Sequence, residues 1–134
     1  MFAYQTVGVP VSKERVCVVI VDDCEDQREV LQRLLTLDGY AALAAADAAE
    51  AMPLIETHRP ECVILDLLMP HIGGVELVKW IRAHQGPDGV IIVLTGVSDP
   101  RHREQAERAG ADYVMLKPLD TRLLAKMLPP VPGS

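Results

Sequence analysis

Apolar residues fall in short unbroken runs, separated by longer amphipathic stretches. Val16–Val21 (VCVVIV) is a continuous, mostly β-branched run, the pattern of a central parallel strand covered on both faces. Glu25–Asp38 carries Val30, Leu31, Leu34, Leu35 and Leu37 at helical spacing, and Gly39 supplies a stop. Tyr40–Ala46 reads as a weak, Ala-rich second strand. Asp47 and Glu50 form a capping-box pattern that opens a second helix, which Pro53 is expected to kink or delay and Arg59–Pro60 to end. Cys62–Leu65 is a third strand, and Val75, Leu77, Val78 and Ile81 mark a third helix. After a turn at Pro87–Gly89, Val90–Leu94 is a fourth strand. Asp99 followed by Pro100 opens a polar fourth helix that Gly110 terminates. Asp112–Leu116 is a fifth strand, and a short last helix covers about Asp120–Leu128.

Strict alternation of five strands and five helices without an internal repeat predicts an α/β fold, a parallel sheet with helices on both faces. A length of 134 residues suits one such domain. Residues 16–128 are read as that domain, 1–15 as a leader or tag remnant, and 129–134 (PPVPGS) as a tail or the start of a linker.

Bulk composition narrows the function. A net charge of −6 and 4% aromatics argue against direct nucleic-acid binding, since neither a basic surface nor a stacking platform is on offer. No apolar run approaches the ~18 residues of a membrane span, and no signal core is present. The three cysteines, Cys17, Cys24 and Cys62, lack metal-site or disulfide spacing; Cys17 and Cys62 read as small buried hydrophobes. These features fit a cytoplasmic protein.

The chemistry gathers at strand ends. Asp22 and Asp23 follow the first run, Asp66 the third, Thr95 the fourth and Lys117 the fifth. Ligands of open α/β sheets bind outside the carboxyl ends of the strands, so these side chains should converge. Each has a plainer reading. Asp22 or Asp23 could cap the helix starting at Glu25, Thr95 could be a β-branched strand end, and Lys117 a solvated charge. Adjacent acids combined with Asp66, Thr95 and Lys117 favour a site for a metal and a phosphoryl group. His58, His71, His84 and His102 have no ligand partner at fixed spacing and read as surface residues. Trp80 reads as a packing residue, and Met69 and Pro70 as residues shaping the loop after Asp66.

The motifs VIVDD (Val19–Asp23), ILDLLMP (Ile64–Pro70), GGVEL (Gly73–Leu77), LTG (Leu94–Gly96) and GADYVMLKP (Gly110–Pro118) occur in order at the proper strand ends. Together they resemble the receiver domain of two-component response regulators over about Val16–Leu128. The resemblance implies a flavodoxin-like fold with strand order 2-1-3-4-5. It implies that Asp66 accepts a phosphoryl group from a phosphohistidine of a histidine kinase or histidine phosphotransfer protein. It further implies Mg²⁺ (or Mn²⁺) held by Asp23 directly, by Asp22 mainly through water, by Asp66, and by the backbone carbonyl of Leu68. Lys117 and Thr95 would contact the phosphoryl group, and Gly96 would leave room for the donor. Homodimerisation through the fourth helix, fifth strand and fifth helix is a further implication. Charged Arg101, Arg103, Glu104, Glu107 and Arg108 on that helix read as a solvated face. Such a domain signals and is not a metabolic enzyme, beyond its own phosphorylation and slow dephosphorylation.

Three departures stand out. Family members often carry an aromatic residue at the position of Val114, and Tyr113 should face the other side of the strand. A switch through an inward-swinging ring is thereby lost, and signalling is expected through the loop and helix near Thr95–Asp99, or by relay of phosphate. Gly73 replaces a common acid, and the Gly73–Gly74 pair should loosen the loop. Leu68 and Val97 place apolar side chains where the family borders the hydrolytic water, so slow self-dephosphorylation is expected.

Two other classes share part of this pattern. A phosphatase of the haloacid dehalogenase type also uses Asp, Mg²⁺, Thr and Lys, but requires a second Asp two residues after the nucleophile, where this chain has Leu68. A flavodoxin-like flavin- or nucleotide-binding module would want a Gly- or Ser/Thr-rich loop after the first strand, where Asp22 and Asp23 would repel phosphate.

Overall fold

The computed structural model describes residues 15–131. The 1–15 leader reading and the last three residues of the 129–134 tail fall essentially outside them. Five strands and five helices alternate: β1 Cys17–Val21, α1 Glu25–Leu37, β2 Ala41–Ala45, α2 Ala48–His58, β3 Cys62–Asp66, α3 Gly74–Gln85, β4 Val90–Thr95, α4 Pro100–Ala109, β5 Tyr113–Leu116 and α5 Thr121–Met127. The strands form one sheet in the order β2-β1-β3-β4-β5, and every pairing is parallel. This is the flavodoxin-like order 2-1-3-4-5 expected from the motifs.

Alternation of side chains along the central strands supplies two cores. Val19, Val21, Val63, Leu65, Ile91 and Val93 face Ala51 and Ile55 of α2, Leu77, Val78 and Ile81 of α3, and Ala106 of α4. Val18, Ile20, Ile64, Ile92 and Leu94 face Leu31 and Leu35 of α1 and Leu124 of α5. The unbroken apolar runs are therefore buried on both sides. Weak, Ala-rich β2 lies at one edge of the sheet and β5 at the other.

Local signals act mostly as anticipated. The Asp47 side chain accepts the Glu50 amide at 2.8 Å, and Glu50 Oε1 accepts the Ala46 amide at 2.9 Å. With its start held this way, α2 begins at Ala48 and runs unbroken through Pro53, so the delayed start does not occur. Arg59 closes α2 in a left-handed conformation (φ 45°). Strands β3 and β4 run one residue further than their apolar runs, taking in Asp66 and Thr95. The reason is backbone pairing: Leu67 N–H donates to Leu94 O and Lys117 N–H to Thr95 O, each at 2.8 Å. The residues with chemistry are thus locked to the sheet at its carboxyl edge.

Leu128 is buried, Tyr40 Oη donates to Pro129 O at 2.7 Å, and Val131 packs against the α1/α5 core beside Gly39. The first residues after α5 are packed onto the fold. Arg82 ties the opposite layer together, donating to Gly110 O, Gly89 O and Asp112. Cys62 is fully buried, and burial pushes its thiol up to about 12. Cys17, at the strand's first position, is only half-buried, and Cys24 is exposed; all three are free thiols. Trp80 packs against the core and stacks on His84 at 4.3 Å.

Candidate phosphoryl-acceptor and metal site

Asp66 ends β3 and is buried. Its Oδ1 accepts the Leu68 amide at 3.2 Å, and its Oδ2 accepts Lys117 Nζ at 3.0 Å. Lys117 follows β5, two strands away, so its approach is set by the sheet order rather than by chain proximity. Asp22, just past β1, is also buried; its Oδ1 takes the Cys24 amide at 2.9 Å and its Oδ2 lies 3.4 Å from the same Lys117 Nζ. Asp23 is exposed, and its carboxylate has no hydrogen-bond partner among the described residues. Neither acid caps α1: the cap position is Cys24, without a side-chain cap bond. The plain capping reading therefore does not describe these acids.

Asp22, Asp23 and Asp66 each offer a carboxylate oxygen, and these atoms lie within 4.8 Å of one another. Three carboxylates face one ammonium. That surplus of negative charge and the all-oxygen donor set fit a hard divalent cation such as Mg²⁺. Asp22's oxygens are already engaged, whereas Asp23's have no partner among the described residues.

Electrostatics follow the geometry. Burial pushes the Asp66 carboxyl above the usual carboxylate range; Lys117 and the Leu68 amide pull it back only in part, and Asp22 adds to the rise. Burial works against the charge on Lys117, but the hydrogen bond and charge of Asp66, with Asp22 behind, hold its pKa above the ordinary lysine value.

Thr95 is buried beside these groups in the sheet order, but its Oγ1 is turned into its own loop, accepting the Val97 amide at 3.1 Å. A Cβ at Gly96 would meet nothing within 4 Å, so the site is open there. Val114 is buried and Tyr113 exposed, as strand alternation required. A cavity of about 190 Å³ lined by Thr95, Val97, Val114 and Leu116, among others, is left between them. Leu68 is 54% exposed and Val97 38%, so both present apolar surface at the rim.

The glycine pair departs from expectation. A Cβ at Gly74 would stand 2.7 Å from Asp66 O and from Leu67 Cα, and the Gly74 amide donates to Leu67 O at 2.9 Å. Gly74 allows close packing and fixes the loop end instead of loosening it.

One member of the site carries no motif signal. Gln27 Oε1 accepts Lys117 Nζ at 2.8 Å, shorter than either carboxylate contact. The available clue was periodicity: Gln27 stands four and eight residues before Leu31 and Leu35, the buried positions of α1, and so continues the core-facing stripe up to the sheet's carboxyl edge.

Residues 18–129 match the model of the response regulator receiver domain. The response regulator MprA of Mycobacterium sp. (strain KMS) is 39% identical over 111 residues, covering 82% of this chain and 48% of that protein. The chain thus spans about half the length of the curated relatives it matches. Among solved structures, the Vibrio cholerae chemotaxis protein CheY4 superposes with a TM-score of 0.79 at 28% identity, covering 85% of this chain and 99% of that one. A Burkholderia pseudomallei response regulator, solved with a phosphorylated aspartic acid, calcium ion and citrate, gives a TM-score of 0.79 at 30% identity and covers 85% and 66%.

Proposed function

The chain belongs to the response regulator receiver-domain family, and we propose that Asp66 is its phosphoacceptor. The observation carrying this reading is the placement of Asp66: buried at the end of β3, 3.0 Å from Lys117 Nζ and clustered with Asp22 and Asp23. In the proposed reaction an Asp66 oxygen attacks the phosphorus of a phosphohistidine on a histidine kinase or histidine phosphotransfer protein. An O–P bond forms, the P–N bond breaks, and its electron pair leaves on the imidazole nitrogen, which takes up a proton. The Burkholderia protein with its phosphorylated aspartic acid supports the same end state here.

Two anions must meet in this reaction, and a bound Mg²⁺ or Mn²⁺ supplies the charge neutralisation. Asp23, Asp66 and the Leu68 carbonyl would hold the ion, with Asp22 acting through water. The chain's own residues do the rest. Lys117 releases Asp66 Oδ2 and follows the new phosphoryl oxygen. Thr95 turns its hydroxyl from Val97 to that group. Gly96 leaves the approach open. Leu68 and Val97 keep the hydrolytic water disfavoured, which lengthens the phosphorylated lifetime. The domain is a signalling unit whose only turnover is on itself. Self-association is proposed through α4, β5 and α5, where Tyr113, Leu116 and Leu123 are exposed.

The test is intact mass after incubation with phosphoramidate, with and without Mg²⁺, alongside Asp66→Asn. A Mg²⁺-dependent gain of one phosphoryl group, absent in the variant, is expected. Equal labelling of the variant would remove Asp66 from the role.

A further inference from the structure

Lys117 has three acceptors and three protons. Asp66 Oδ2 at 3.0 Å and Asp22 Oδ2 at 3.4 Å are acids of the site already described; the closest acceptor, Gln27 Oε1 at 2.8 Å, is a neutral amide from another element. An ammonium only donates, so the amide oxygen must face it and the Gln27 NH₂ group must point away. Gln27 is brought there by the core-facing stripe of α1, where Leu31 and Leu35 anchor the helix against the sheet. Arg28, the next residue, donates to Asp22 O at 2.9 Å and fastens the same turn to the loop after β1. The first turns of α1 are therefore fixed relative to Lys117.

We propose that Gln27 is a positioning residue for phosphoryl transfer, holding the Lys117 ammonium so that it can leave Asp66 for a phosphoryl oxygen without leaving the site. This rests on the reading of Asp66 as phosphoacceptor. The physical logic is a neutral tether. A third carboxylate at this point would bind Lys117 more tightly but would repel the incoming donor. An apolar side chain would leave Lys117 to the two acids alone, drawn toward Asp66 Oδ2. An amide oxygen holds one ammonium proton at little electrostatic cost to an approaching phosphoryl group. The Gln27 NH₂ has no partner among the described residues.

The experiment is a double-mutant cycle on the full chain, following phosphorylation by phosphoramidate in saturating Mg²⁺ through intact mass. The four chains are native, Gln27→Leu, Lys117→Ala and the double variant. Gln27 is exposed, so Gln27→Leu should fold; Gln27→Met, equally long and without hydrogen-bonding atoms, repeats the test. Gln27→Leu is expected to slow labelling about three- to tenfold at saturating phosphoramidate, and to change the rate by less than about twofold once Lys117 is Ala. A loss equal in both backgrounds would place the effect outside Lys117 and overturn the inference, as would a Gln27→Leu chain as fast as the native one. In either case native labelling that still requires Asp66 leaves the phosphoacceptor reading standing. Native chain that takes no phosphoryl group overturns both.

Discussion

Thr95 and Val97 are joined through a single oxygen: Thr95 Oγ1 accepts the Val97 amide at 3.1 Å and lies 3.4 Å from the Val97 carbonyl. A hydroxyl has one proton to donate, so Thr95 must give up its long contact to the Val97 carbonyl, and turn within the loop, to serve a phosphoryl group on Asp66. Because Val114 has no ring, the adjacent cavity of about 190 Å³ offers the released loop somewhere to settle. Phosphorylation is therefore expected to move the Val97 amide resonance strongly, with smaller shifts through Gly96–Ala109. Thr95→Ala should still label at Asp66 yet lose that response. Amide spectra of the phosphorylated native chain and variant check both, and an unmoved Gly96–Ala109 segment would sink loop signalling.

Leu68 and Val97 flank the site with exposed apolar side chains. Water attacking an aspartyl phosphate needs a group to orient it and take its proton, and neither side chain can do so. Leu68→Asn and Val97→Glu should each speed loss of the phosphoryl group by about three- to tenfold. The check is the decay of the phosphorylated mass after the phosphodonor is removed.

The carboxyl edge of the sheet was legible because each apolar run ends in a chemically distinct residue, and the fold turns run ends into a common surface. Asp22, Asp23, Asp66 and Lys117 meet as their strand positions demanded. Gln27 was hidden because a helix residue reaches the site through rotation about the α1 axis, and only the buried positions Leu31 and Leu35 reveal that phase. The role of Gly74 is hidden for a related reason. Backbone freedom is visible in a sequence, whereas a 2.7 Å approach to another segment's backbone is not. Pro53 does not delay α2, because the reciprocal Asp47–Glu50 cap fixes the helix start ahead of the proline.

Asp66 carries a stability cost with a defined sign. Burial raises its pKa above the unfolded value, so the folded chain holds this proton more tightly than the unfolded chain does. The group's penalty is absent below the unfolded pKa, grows as pH rises through the folded pKa, and is full above it. In metal-free buffer, Asp66→Asn should raise Tm at neutral pH, with an advantage that shrinks as pH falls toward the ordinary carboxylate range. Mg²⁺ should raise the native Tm more than that of the variant, since it binds the folded acidic cluster. Thermal melts across pH, with and without Mg²⁺, test this; a variant less stable at neutral pH and equal at low pH would reverse the sign.

Gly74 offers the sharpest link between packing and chemistry. The atoms a new Cβ would meet, Asp66 O, Leu67 Cα and Leu67 O at 2.7–2.8 Å, are all backbone, so no flexible side chain can yield. Either α3 moves out or the Asp66–Leu67 peptide moves in. The first loosens Leu77 and Val78, which are fully buried; the second displaces the Leu68 amide from Asp66 Oδ1. Gly74→Ala should therefore cost about 1–3 kcal/mol of stability and slow labelling of Asp66 as well. Gly73→Ala is the matched control: its Cβ would meet only the flexible Glu76 carboxylate, and its backbone (φ −76°) suits any residue. Urea unfolding and phosphoramidate labelling of the two variants should separate them clearly, and equal behaviour would show that the close approach at Gly74 is not what holds this loop against Asp66.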